Sequence, residues 1–262
     1  MTVKCRLLQV KNTIMDIKIK NEFLQKWEKH FGQAELPFVY FYSLTPGTAT
    51  LADENKGWSC IICELARVRN GESLAYNESG LRCGGSRRYL GYAKGMRPNF
   101  EYFLSCGIPG EMEGERYIRT PEMVREIMKK MQPIPAEGKY IVFKRWDKLD
   151  EPDEPEGVIF FATPDVLSGL FTLANFDQVD GDGVVAPFGS GCSSIVYRSY
   201  LENAKDNPRA VLGMFDCSAR PCVPKDTLSF SIPMKKFITM LGYIDESFLI
   251  TETWETVKKR IN

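Results

Sequence analysis

The reactive inventory of this 262-residue chain is eight cysteines and a single histidine. Cys60 and Cys63 stand three apart in Trp58-Ser59-Cys60-Ile61-Ile62-Cys63, a stretch that predicts a helix over residues 58–67 with Ser59 as its cap. On a helix that spacing turns both thiols to one face. In the first turn the aligned backbone dipoles favour thiolate over thiol. Cys83 heads a glycine turn, Cys83-Gly84-Gly85-Ser86, and Cys192 lies in another, Gly189-Ser190-Gly191-Cys192-Ser193-Ser194. Cys217 follows a predicted strand end in Asp216-Cys217-Ser218-Ala219-Arg220. Converging thiolates bind soft metals or an iron–sulfur cluster. Cys60, Cys63, Cys83, Cys192 and Cys217 are therefore the candidate ligands, although no second CxxC completes a zinc ribbon and the spacing is not a compact cluster run. The competing reading makes Cys60 and Cys63 small apolar residues of a buried face with Ile61, Ile62 and Leu65.

The glycines suggest a different ligand. Free amides at Gly84, Gly85, Gly189 and Gly191, beside serine hydroxyls, could cradle an anionic small molecule or cofactor, with Arg67 and Arg220 as further positive charge. Asp216 could act as a base or a metal ligand. Neither turn ends in Gly-Lys-Ser/Thr, and neither has the third glycine of a dinucleotide fingerprint. Tight turns and surface arginines explain the same residues without a ligand. A thioredoxin-like site fits poorly, because the tryptophan is displaced, the preceding loop is long and two isoleucines fill the CxxC. His30, beside Lys29 on the polar side of the first helix, is expected to be exposed. That leaves no serine–histidine or histidine–zinc chemistry. Asp177, Asp180 and Asp182 with Gly183 lack the closing glutamate of a calcium loop and read as a turn.

The elements that would position these groups alternate between helix and strand. Phe23, Trp27 and Phe31 mark a helix over residues 19–31, stopped by Gly32. Residues 36–42, 71–76, 102–106, 115–120 and 140–143 read as strands or strand-like, and Thr120-Pro121 starts a helix with apolar Val124, Ile127, Met128 and Met131. The acidic, proline-containing run 147–156 reads as a solvated connector. Beyond it the pattern repeats: strand 158–161, helix 164–174, strand 183–188, glycine turn, strand 212–216, strand 228–233 and a helix ending near Gly242. A last amphipathic helix from Thr251 carries Trp254, Val257 and Ile261 and is expected on the outside. The expectation is an α/β (α+β) protein with mixed sheets and flanking helices, in two pseudo-repeated halves. Residues 1–146 form the first half with an N-terminal helix, and 157–262 the second with a C-terminal helix. Together they make one compact unit whose two glycine turns lie near each other, where a pocket is usual.

Composition bounds the partners. Lysine plus arginine equals aspartate plus glutamate at 34 each, so no global positive field draws the chain to nucleic acid or anionic lipid. Residues 1–20 alternate charged and apolar residues, and no stretch approaches a membrane-spanning run. A cytoplasmic protein with reduced thiols is expected.

The order of several short motifs resembles the prokaryotic family known as domain of unknown function 169. They are Pro37-Phe38-Val39, then Cys63-Glu64-Leu65-Ala66-Arg67 before Gly71, then Cys83-Gly84-Gly85 before Leu90-Gly91. The second half adds Pro155-Glu156-Gly157-Val158-Ile159 with Pro164, Cys192, Arg220 and Ile232-Pro233. The match runs over about residues 35–240. Cys60, Gly189-Ser190-Gly191 and Cys217 are departures from the family pattern. The resemblance implies a shared fold and brings no established reaction. Three functions stay open: a thiolate-bound metal or iron–sulfur cofactor at the interface of the halves, a binding protein or transferase for an anionic small molecule, and an interaction module without a site.

Overall fold

The computed structural model describes residues 16–54 and 57–261. Eight strands form one mixed sheet in the order β2-β3-β4-β1-β5-β8-β7-β6. At its centre β1 (Phe38–Ser43) pairs antiparallel with β4 (Tyr140–Arg145) on one side and β5 (Gly157–Ala162) on the other. β4 continues antiparallel to β3 (Leu74–Tyr76). β5 continues to β8 (Leu228–Pro233), and β8 to β7 (Ala210–Gly213), again antiparallel. The outermost pairs are parallel: β2 (Thr50–Leu51) with β3, and β6 (Val184–Val185) with β7. Parallel neighbours need a crossover. Here α2 (Ile61–Arg69) supplies the first, and a π turn (Ser193–Tyr197) running into α7 (Arg198–Asn203) supplies the second.

The central strands read as unbroken apolar runs because both of their faces are covered. β5 is buried along its whole length. The two-residue period then sorts the side chains. Val39, Phe41, Val158 and Phe160 enter one core with α1 (Ile17–Phe31), α6 (Pro164–Ala174), α8 (Met234–Tyr243) and α9 (Glu252–Lys258). Phe38, Tyr40, Ile159 and Phe161 enter another with Ile61, Ile62 and Leu65 of α2, Tyr89 of α3 (Gly84–Tyr89) and the π turn. The result is a three-layer α/β/α arrangement. The second face carries Cys60, Cys192 and Cys222.

Several expectations are corrected. Residues 102–106 are not a strand; most of them lie in or directly after the short helix α4 (Phe100–Leu104), which follows Asn99 in the left-handed conformation at φ 61°. Residues 115–120 form no strand either, since Arg116 sits at φ 55° and breaks the extended run. Thr120 does cap α5 (Pro121–Lys130), accepting from the Met123 amide. Helix α2 begins at Ile61, so Cys60 rather than Ser59 is its N-cap. The Cys83 turn opens directly into α3, with Cys83 as N-cap. His30 is buried, with Nδ1 3.1 Å from the Leu249 carbonyl and Nε2 3.0 Å from Asp245 Oδ1. Its helix is covered there by the C-terminal segment, where Trp254 is fully buried and donates to the His30 carbonyl. The acidic connector is only partly solvated. Asp153 is buried and, with Asp150, holds the buried Lys144 ammonium at 2.9 and 2.8 Å. No helix among the described residues is long and apolar enough to cross a membrane.

Candidate thiolate site

Helix α2 brings Cys60 and Cys63 to its first turn, at the rim of the second core. Ile61 and Ile62, adjacent in sequence, are buried and anchor the turn, which leaves Cys60 half-buried and Cys63 exposed. The segment after β7 supplies the third sulfur. Its 3-10 turn, Arg220–Cys222, packs against α2, and Cys63 is disulfide-bonded to Cys222 across 159 residues, with Cα atoms 4.6 Å apart. The sulfurs of Cys60, Cys63 and Cys222 all lie within 4.8 Å of one another. Cys222 is not among the candidates the sequence offers. Only its place after a strand end, where α/β folds gather functional groups, could have marked it.

Cys83 and Cys192 lie beside this triad. A Cβ placed on Gly85 would stand 3.5 Å from Cys83 Sγ and 3.9 Å from Cys192 Sγ. Both distances are ordinary van der Waals contacts, so the two sulfurs lie close to α3 at Gly85. Gly191 is more tightly placed: a Cβ there would come within 2.8 Å of Ile62 Cγ1 and 3.0 Å of Met214 Sδ. The absence of a side chain lets the start of the second crossover touch the first turn of α2. Cys217 is exposed and stands at the other end of the same loop as Cys222.

Asp216 is buried and fully engaged. It accepts from the Gly191 amide at 3.0 Å, from the Ser218 amide at 3.0 Å and from Tyr117 Oη at 3.1 Å. These bonds tie the loop after β7 to the glycine turn. The thiols feel their surroundings strongly. Burial pushes Cys60 above the usual thiol range; Cys83 and Asp216 push the same way, and the Ile62 and Cys63 amides oppose them. Burial holds Cys192 well above that range, against the nearby Ser190 hydroxyl, 3.4 Å from its sulfur. In the absence of a cation both stay protonated at neutral pH; a bound metal supplies the positive charge that makes thiolates.

Three of the groups considered for an anion have partners within the fold. The Arg67 guanidinium pairs with Glu72 at 2.6 Å. Arg220 donates to the carbonyls of Thr227, Pro224 and Lys225 at 2.5, 3.2 and 2.8 Å, stapling its own loop. The Gly191 amide is given to Asp216, and the Ser194 hydroxyl to the Gly191 carbonyl at 2.9 Å. Gly84 has open space around the position of a Cβ, and Gly189 lies 3.2 Å, on the same measure, from Ser193 Oγ.

Residues 34–242 match the model of the family of uncharacterised ArCR proteins, domain of unknown function 169. The chain belongs to that family. No curated protein and no solved structure matches it.

Proposed function

We propose that this member of the domain of unknown function 169 family holds a soft metal or an iron–sulfur cofactor through cysteine thiolates where its two halves meet. The observation that carries the reading is the triad: three sulfurs from two distant segments, all within 4.8 Å. Tetrahedral sites with bonds of about 2.3 Å need sulfurs this close. The donor set is soft, and the one histidine is bound up with Leu249 and Asp245 in the other core. In a reducing cytoplasm, the compartment expected for this chain, the Cys63–Cys222 bond is open and both sulfurs are available.

The pseudo-repeat belongs to the same reading. Its support is the register of the sheet. β1 and β4 pair over six residues, from Phe38 with Arg145 to Ser43 with Tyr140. β5 and β8 pair over six, from Gly157 with Pro233 to Ala162 with Leu228. A twofold axis through the Val39–Val158 pair exchanges β1 with β5, β4 with β8, β3 with β7 and β2 with β6. It also exchanges the two crossovers. This pairing differs from the one the sequence suggests, which matches residues 71–76 to 183–188.

The test is metal and iron analysis, with a visible spectrum, on full-length protein purified without oxygen. Stoichiometric metal that is lost in the Cys60→Ser/Cys63→Ser double variant is the expected result. A protein that carries no metal, and after reduction takes up neither iron nor Co(II), overturns the reading. The disulfide itself favours a second function: Cys63 and Cys222 as a dithiol–disulfide couple, with the Cys60 sulfur near enough for exchange. A metal-free protein that oxidises and reduces reversibly at this pair would establish it.

A further inference from the structure

This inference rests on the thiolate reading and names its cofactor class. Cys83 and Cys192 are both free, and Cys192 is buried; both sulfurs lie within 4 Å of the position a Cβ on Gly85 would take. Their positions in the fold explain this proximity. Cys63 lies in the first turn of the first crossover helix, and Cys192 at the start of the second crossover. Cys83 follows β3, and Cys222 follows β7. Under the twofold exchange described above, the start of α2 with Cys60 and Cys63 answers Cys192, and the loop with Cys83 answers the one with Cys222. Each contact then joins a helix start of one half to a strand-end loop of the other: Cys63 with Cys222, and Cys192 with Cys83.

We infer that Cys63, Cys83, Cys192 and Cys222 are the four-cysteine shell of an iron–sulfur cluster straddling the two halves, two ligands from each. Cys60 is an extra thiol beside the shell. A single tetrahedral ion takes only four donors, all about 2.3 Å from one centre. Five thiols in two groups exceed that. A cluster spreads four cysteines over several irons and so reaches both pairs. The all-sulfur donor set fits it. Gly191 permits the close approach of the two crossovers, which a bulkier residue would take away. The π turn directly after Cys192 is a distortion that proteins often place at functional sites. Loading requires the Cys63–Cys222 bond to open. A dithiol such as dithiothreitol supplies two electrons and two protons, leaves as its cyclic disulfide and yields two thiols. Each of the four thiols then gives its proton to solvent as its sulfur bonds iron.

The experiment uses the full chain, reduced with dithiothreitol under nitrogen and then given ferrous and ferric iron with sulfide. A parallel sample receives Co(II) alone. The expected result is equal, stoichiometric iron and acid-labile sulfide with a broad visible band in wild type. Cys83→Ser and Cys192→Ser should each lose most of both, while their metal-free forms still unfold cooperatively. The wild-type iron-to-sulfide ratio needs no variant and stands even if a serine variant fails to fold. One Co(II) per chain with thiolate charge-transfer bands and no retained labile sulfide, abolished by Cys60→Ser but not by Cys83→Ser, overturns the four-cysteine shell and leaves the triad standing. No uptake of either probe overturns both readings.

Discussion

Opening the Cys63–Cys222 bond should cost this protein a large part of its stability, and the size follows from chain length. The bond closes a loop spanning 159 residues, which in the chain-entropy account restricts the unfolded ensemble by about 5 kcal/mol at 25 °C. Little packing is lost with it, because Cys63 is exposed and Cys222 half-buried. The effect should therefore appear through the unfolded state. Guanidinium unfolding of metal-free protein with and without dithiothreitol measures it. With a slope of about 5 kcal/mol per molar, the reduced midpoint should fall by about 1 M, and the slope should rise as the unfolded chain expands. The Cys63→Ser/Cys222→Ser variant should match reduced wild type and ignore the reductant. Metal loading should then recover stability in reduced wild type, since bound metal again ties the same two segments. Identical unfolding curves for oxidised and reduced wild type would refute the argument, by showing that the two sulfurs are not joined.

Other expectations follow from separate parts of the molecule. Burial, with help from Glu137 and Glu154, lifts the Glu156 carboxyl from its ordinary value near 4.5 to about 8. A raised carboxyl leaves stability intact at low pH and drains it as pH climbs from about 4.5 to about 8, by at most about 5 kcal/mol. Thermal unfolding across pH 4–9 should show that slope, and Glu156→Gln should flatten it. Asp245 is held well below the usual carboxylate range by Lys29, His30 and Lys26. Its stabilisation is therefore present above about pH 4 and fades as pH falls further; it is modest because the side chain is 44 % exposed. Asp245→Asn should lower the melting temperature slightly at pH 7 and not at all in strong acid. Gly191→Ala would press a methyl against Ile62 and Met214 and should destabilise by about 1–3 kcal/mol in denaturant titrations. If metal uptake survives that change undiminished, the close approach of the two crossovers is not needed for the site.

The central strands were legible because burial on both faces leaves nothing for polarity to interrupt. Phe38-Val39-Tyr40-Phe41 and Val158-Ile159-Phe160-Phe161 carry their assignment in composition alone. Helix α5 announced itself through Thr120-Pro121, and α6 through Thr163-Pro164. Tyr102-Phe103-Leu104 misled for the opposite reason: a short apolar run has no period to read, and a left-handed Asn99 set the turn. His30 misled because the polar side of α1 is covered by Asp245 and Leu249, 215 and 219 residues away. No local pattern holds that information.

The site was half legible for the same reason. Cys63, Cys83 and Cys192 lie at turns that local chemistry marks, whereas Cys222 becomes a neighbour only through the sheet. Each end of the sheet has one parallel strand pair with its crossover on the second face. In such a unit the helix start and the loop after the second strand both lie beyond carboxyl ends of strands. The antiparallel centre, β1 against β5, sends those ends to diagonally opposite corners of the sheet. Strand twist accumulates across the eight strands and lifts opposite corners toward the same face. A flat sheet would hold those corners apart; here Cys63 of one and Cys222 of the other are joined. That meeting of corners, rather than any local pattern, is what makes Cys222 a neighbour of Cys60 and Cys63.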